Sequence, residues 1–377
     1  MKLVAAAALA AAFCAGAFAG DIIVLTDGRT LGSPHPSDPP SAADFASSNV
    51  AVTDETMDGV VYRLTGVPTK QTAARAQVKA VLHDPATVPA DLTNGLALIA
   101  GGQFDDGRAK LVAVARNAAL PAWVQAEAAF RHAEAYATEG NAGAAERALA
   151  AFALERSRSR HALGAKRLRA RLLLDLGREE DAKAEYESAA HVTGATDDEV
   201  LAARFLAAWA GARPALRSGD AAALAATAKT FDELRPRGAA QGALAARCQV
   251  AKAACDGATD ALAAVVAGSE DAFVLAVGHT LLADAARRRA GAAKDRSLLE
   301  DAQERYLRVV LLYRDAEGAA DFVAAAQFHA GEVFLLLARE DSDADAKTGA
   351  RREWEDLVRR APRSEWARKA RAALAAL

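Results

Sequence analysis

The glycines of this chain fall at a nearly fixed interval, and that interval leaves few folds open. Gly102 to Gly140 is 38 residues, Gly140 to Gly177 is 37, Gly177 to Gly219 is 42 and Gly219 to Gly257 is 38. A period of this size marks an array of repeated supersecondary units rather than one continuous core. Around three of these glycines the same residue classes return at offsets of −7, −4, +5, +9 and +12. At Gly102 they are Gly95, Leu98, Gly107, Leu111 and Val114; at Gly140, Ala133, Tyr136, Ala145, Leu149 and Phe152. At Gly177 they are Ala170, Leu173, Ala182, Tyr186 and Ala189. Small residues at −7 and +5 suit two helices that cross closely, and the large ones at −4 and +9 fill the space beside the crossing. Each glycine then closes the first helix of a pair, where a left-handed residue is wanted.

Composition agrees with packed helices. The 377-residue chain is 52% hydrophobic, yet aromatics are only 6% and alanine supplies much of the rest. Alanine is the strongest helix former and lets helices approach one another. A formal net charge of −3 is too small to draw the chain to nucleic acid or to an anionic membrane over long range.

This spacing resembles the tetratricopeptide repeat (TPR), with residues 173–189 as the nearest match. Ala302, Tyr306 and Val309 repeat the second-helix spacing, as do Ala350, Trp354 and Leu357 ahead of Pro362. Residues 362–367 resemble the repeat ends of exported bacterial envelope proteins, including those of outer-membrane assembly. The periods exceed the family's usual value of about 34. The resemblance covers residues 88–377 and implies an all-α, right-handed helix-pair solenoid of about seven helix pairs with a C-terminal capping helix. It also implies a partner-binding role.

The N-terminal region differs in character. Met1-Lys2, the apolar run 3–13 and Ala17-Phe18-Ala19 before Gly20 read as a secretory signal peptide spanning residues 1–19. Cys14 does not suit lipoprotein processing, because Phe13 stands where a small residue is needed. The expected product is exported, periplasmic or secreted, and no later segment reads as a transmembrane helix. Residues 20–67 read as a small β unit: runs at 21–25, 29–31, 49–53 and 60–64, turns at Asp27-Gly28 and Asp58-Gly59, and a Ser/Pro loop at 33–41. Residues 68–87 are expected to form a connecting helix.

Export permits disulfides, and Cys248 and Cys255 remain after cleavage. On one helix their Cα atoms would lie about 10.5 Å apart along the axis, beyond bridging distance. Two buried thiols are expected.

The motifs of the common enzyme classes are missing: no nucleophile elbow, phosphate-binding loop, paired-histidine zinc motif or dinucleotide fingerprint occurs. His35, His83, His132, His161, His191, His279 and His329 are scattered singly, so no metal and no cofactor is expected. His132 and His329 fall within helix patterns and read as satisfied core or groove residues. Residues 341–345 open like a calcium loop, but Ala346 and Arg352 stand where glycine and a bidentate glutamate are needed.

One basic stretch invites a functional reading. Arg156, Arg158, Arg160, Lys166, Arg167, Arg169 and Arg171 fall within sixteen residues. A solvated helix face is the simpler account. The TPR resemblance offers another, because first helices line a concave groove in that family. It places Phe130 and Glu134 in one repeat, Arg167 and Arg171 in the next, and Trp209, Arg213 and Arg217 in a third. The paired arginines stand one turn apart and suit carboxylates or phosphates, with Trp209 as an apolar anchor. The reading that follows is an exported scaffold or adaptor of the cell envelope that binds a protein or peptide and not nucleic acid, with a basic groove for an acidic peptide tail or an anionic envelope component. The alternative is an envelope enzyme, or an accessory subunit of one, with Asp44, Asp54, Glu55 or Asp58 of the β unit as acid–base groups. A third is a structural spacer.

Overall fold

The computed structural model describes residues 20–33, 40–237, 242–260, 262–293, 295–341 and 344–377. The expected signal peptide, most of the Ser/Pro loop and the middle of the acidic 341–345 loop lie outside the described residues. The chain forms two compact units: the described part of Met1–Glu139 with Leu154–Ala162, and Gly140–Ala153 with Leu163–Leu377.

The first unit begins with β1 (Ile22–Leu25), β2 (Thr30–Leu31), a short helix α1 (Ala42–Ser47), β3 (Val50–Glu55), β4 (Gly59–Leu64), β5 (Gln71–Ala74) and β6 (Val78–Leu82). They make two antiparallel three-stranded sheets, ordered β2-β1-β6 and β3-β4-β5. Gly59 lets β4 approach β5: at its φ of +153° a Cβ would lie 2.1 Å from the Ala73 carbonyl oxygen. Three helices follow, α2 (Ala90–Ala100), α3 (Phe104–Arg116) and α4 (Ala122–Thr138). Ile23, Val52, Val60 and Tyr62 of the strands share one core with Leu92, Leu111, Trp123 and Val124 of the helices. A β unit too small to bury its own apolar face is thereby covered.

The connecting helix expected at 68–87 is not there. Those residues hold β5, a single 3₁₀ turn at Arg75–Gln77 and β6. The local run of alanines suggests helix, but β6 completes the sheet edge beside β1, some fifty positions earlier, pairing Ile23 with Val81. Tertiary pairing overrides local propensity here.

The second unit is helical. Its elements are α5 (Ala142–Glu155, whose last two residues belong to the first unit), α6 (Ala162–Asp175), α7 (Glu179–Ala189), α8 (Asp197–Ser218) and α9 (Ala221–Arg237). Then come α10 (Gly242–Asp256), α11 (Leu262–Ala267), α12 (Ala272–Ala293), α13 (Arg296–Leu312), α14 (Ala320–Asp341), α15 (Ala344–Arg360) and α16 (Glu365–Ala375). Neighbours in sequence pack on one another from α7 to α16. Among the described residues, α2 to α15 are fourteen helices in succession, followed by α16.

The glycine interval is explained by the backbone. Gly102, Gly140, Gly177, Gly219 and Gly257 all take φ between +67° and +85°, just past α2, α4, α6, α8 and α10. The small-residue crossing is explicit in the first pair: a Cβ on Gly107 would lie 2.6 Å from Ile99 Cγ1 and 2.8 Å from the Gly95 carbonyl oxygen. At the third, Ala170, Leu173, Ala182 and Tyr186 are all buried in one core. The helix-pair architecture is therefore TPR-like, with a small N-terminal region of strands.

Cys248 and Cys255 are free and buried on α10. Burial pushes both thiols up to about 11. One sequence expectation needs correction: residues Ala320–Ala338 of α14 are long and apolar enough to cross a membrane by length and composition. Half of that stretch is buried, because α14 packs against α12, α13, α15 and α16.

Candidate partner-binding surface

Helices α6 and α8 bring four of the expected groove residues onto one part of the second unit. Arg167 and Arg171 stand a turn apart on α6, and Arg213 and Arg217 a turn apart on α8. Arg171 and Arg213 both act on the Asp175 carboxyl, and Arg167, Arg171 and Arg213 all act on the Tyr186 phenol. The arginines converge, but most are already engaged. Arg167 donates to Glu317. Arg213 donates to Asp321 at 2.8 Å. Arg217 holds Glu179 with both terminal nitrogens. Arg171 is exposed and, among the described residues, makes no hydrogen bond or ion pair.

Trp209 is not a groove anchor. It is 1% exposed, packs edge-on against Phe273 and stacks on Phe322, and its indole N–H donates to the Gly318 carbonyl at 2.7 Å. The stretch leading into α14 covers it. That contact spans 109 positions, which a nearest-neighbour view of stacked repeats does not anticipate. Beside the arginines the Tyr186 hydroxyl is buried and, among the described residues, has no hydrogen-bond partner. Burial, with Glu317 nearby, raises its pKa despite the three arginines.

The rest of the basic stretch is neither a solvated face nor a groove. Lys166 and Arg169 reach Glu185 on α7, and Arg169 also reaches Glu146 on α5, so they tie α6 to its neighbours. Arg156 donates to the Ala115 carbonyl and Arg158 to Asp58, while Arg160 bridges Glu55 and Glu127. These three fasten residues 154–162 within the first unit.

Phe130 and Glu134 lie in that first unit, in a polar network that the sequence does not announce. Phe130 is buried and stacks on His161, with ring centroids 4.6 Å apart. Glu134 accepts from Arg131 at 2.7 Å. His161 and Arg131 each also meet Glu127 at 2.7 Å. Burial alone would raise the Glu127 pKa, but hydrogen bonds from His161, Arg160 and Arg131 hold it far below the usual carboxylate range. Through Arg160 the network continues to Glu55, then to His83 at 2.7 Å, and from His83 to Asp21 at 3.1 Å. Asp21 also accepts from the Val52 amide at 2.7 Å. His83 lies flat on Trp123, with centroids 3.5 Å apart. Both imidazole nitrogens face carboxylates; burial lowers the His83 pKa, but these contacts outweigh it and raise the pKa overall. Single histidines and acids spread from residue 21 to 161 carry no spacing signal, which is why sequence reasoning passes over them.

The acids considered for catalysis serve separate local roles. Asp44 caps α1, Asp58 pairs with Arg158, and Glu55 belongs to the His83 network. Asp54 on β3 has its pKa raised by burial. Among the described residues no group of three or more His, Cys, Asp or Glu side chains is placed to hold a metal ion. His132 stands edge-on to Tyr136, and His329 meets Glu332 at 2.7 Å.

No protein-family model and no curated protein matches the chain. Among solved structures it is similar to the TPR domain of P58(IPK), at 14% identity over 76% of this chain and 96% of that one, with a TM-score of 0.24. The fold assignment rests on the helix pairs and their left-handed glycines.

Proposed function

We propose that the chain is a non-catalytic protein-binding scaffold, and that the α6–α8 surface of its second unit receives an acidic segment of its partner. Convergence of Arg167, Arg171 and Arg213 around Tyr186, with Arg171 unpaired among the described residues, is the observation that carries this reading. Arginine suits carboxylates because its planar fork offers paired donors, and an unpaired guanidinium loses no internal contact when a ligand arrives. In this proposal the partner belongs to the cell envelope, consistent with the apolar N-terminal run and small-residue cleavage pattern.

Affinity capture from an envelope fraction tests it, comparing the chain from Gly20 onward with Arg171→Glu and with a charge-matched reversal at exposed Arg288 on α12, Arg288→Glu. Reversing all four arginines would set like charges beside Glu179, Glu317 and Asp321 and endanger the fold; Arg171 has no such neighbour in ion-pair contact. A protein lost only from Arg171→Glu supports the reading. Capture unaffected by Arg171→Glu refutes the surface.

A further inference from the structure

Two of the carboxylates on the arginine surface come from far along the chain. Glu317 reaches Arg167 across 150 positions and Asp321 reaches Arg213 across 108. They stand four residues apart at the start of α14, with Gly318, Ala319 and Ala320 between them. The backbone there is fixed independently of these pairs. Gly318 takes φ +82° and gives its carbonyl to Trp209, and Ala319 is wholly buried. The two carboxylates project from that anchored stretch and stay partly exposed, at 28% and 35%. Pairs of this exposure add little to stability, so their larger effect falls on whether the arginines are free.

We propose that Glu317 and Asp321 are a built-in competitor for the arginine surface, and that the partner presents the same pattern: two carboxylates separated by three small residues. Glu317 swings aside, and the incoming pair takes Arg167 together with the unpaired Arg171, which stand a turn apart on α6. Trp209 and the Gly318 carbonyl stay in place. This inference rests on the arginine surface being the docking site, and the test separates the two.

The probe is a fluorescein-labelled peptide with two glutamates separated by three alanines, followed by fluorescence anisotropy at low salt. The proteins are the chain from Gly20 onward and its Glu317→Gln, Asp321→Asn, Arg171→Ala and Glu304→Gln variants, each checked for helicity by circular dichroism. Glu304→Gln changes net charge equally but frees Arg308 on α13, which pairs with none of the surface's carboxylates. Glu317→Gln is expected to bind about two- to fivefold tighter than the parent, the factor that releasing one partly exposed ion pair supplies. Asp321→Asn should tighten binding in the same direction, Arg171→Ala should weaken it, and Glu304→Gln should leave it unchanged. Equal tightening by Glu304→Gln reduces the effect to net charge and overturns the proposal. Unchanged affinity in both Glu317→Gln and Asp321→Asn, with loss in Arg171→Ala, overturns the competitor and leaves the docking surface. No binding by the parent, Glu317→Gln or Asp321→Asn overturns both.

Discussion

His83 offers the sharpest quantitative test of how the first unit is held together. Its ring donates to Asp21 and Glu55, whose side chains are 9% and 6% exposed. Replacing it with phenylalanine keeps a ring on Trp123 and removes both donors. A hydrogen bond to a charged group contributes about 1.5–3 kcal/mol, and leaving a buried charge short of a partner costs more still. Asp21 keeps the Val52 amide and Glu55 keeps Arg160, so the expected loss is toward the lower end, about 2–4 kcal/mol. The loss depends on pH. The folded pKa of His83 is raised above its ordinary value of about 6.5. Its contribution is therefore complete below that value and is lost as pH rises through the raised folded pKa. The cost of His83→Phe should be largest near pH 6 and much smaller near pH 9. Hydrogen exchange followed by mass spectrometry, read on peptides from residues 20–82, reports this unit directly. A cost below about 0.5 kcal/mol, the range of an ordinary surface change, or one that grows as pH rises, would refute the reasoning.

Other substitutions probe the packing. Gly107→Ala should destabilise the α2–α3 pair by about 1–2 kcal/mol in thermal melts, because overpacking against Ile99 and the Gly95 carbonyl exceeds the gain in helix propensity. Trp209→Ala should cost about 3–5 kcal/mol in urea unfolding, the mark of a core residue rather than a ligand anchor. Tyr186→Phe removes a buried hydroxyl that has no hydrogen-bond partner among the described residues and should be neutral or stabilising by about 1 kcal/mol. Cys248 and Cys255 should react with a thiol reagent at pH 8 only after unfolding, since both are buried and their pKa values lie near 11.

What the sequence conveyed was local and periodic. The glycine interval located the left-handed ends of α2, α4, α6, α8 and α10, and the −7 and +5 positions located close crossings such as Gly95 on Gly107. The grouping of Arg167, Arg171, Arg213 and Arg217 followed from the same register, because positions fixed relative to each glycine recur on one helix face. What it concealed were contacts between distant segments. Trp209 and Arg213 meet the start of α14, over a hundred positions later, and β6 returns to pair with β1. Each depends on tertiary docking that leaves no mark in a local window. The His83 network shows the same limit, since its members come from the residue before β1, from β3, from the residue after β6, from α4 and from the segment before α6, without any repeated spacing.

The central claim is that an acidic partner docks at the arginine surface of the second unit. Site-specific photo-crosslinking tests it most directly, with benzoylphenylalanine placed at exposed position 175, one turn beyond Arg171 on α6, and, as a control, at exposed position 304. The expected result is a crosslink from position 175 alone, mapped by mass spectrometry to an acidic segment of one envelope protein and suppressed by high salt. Crosslinks that are absent at 175, equal at both positions or indifferent to salt would contradict it.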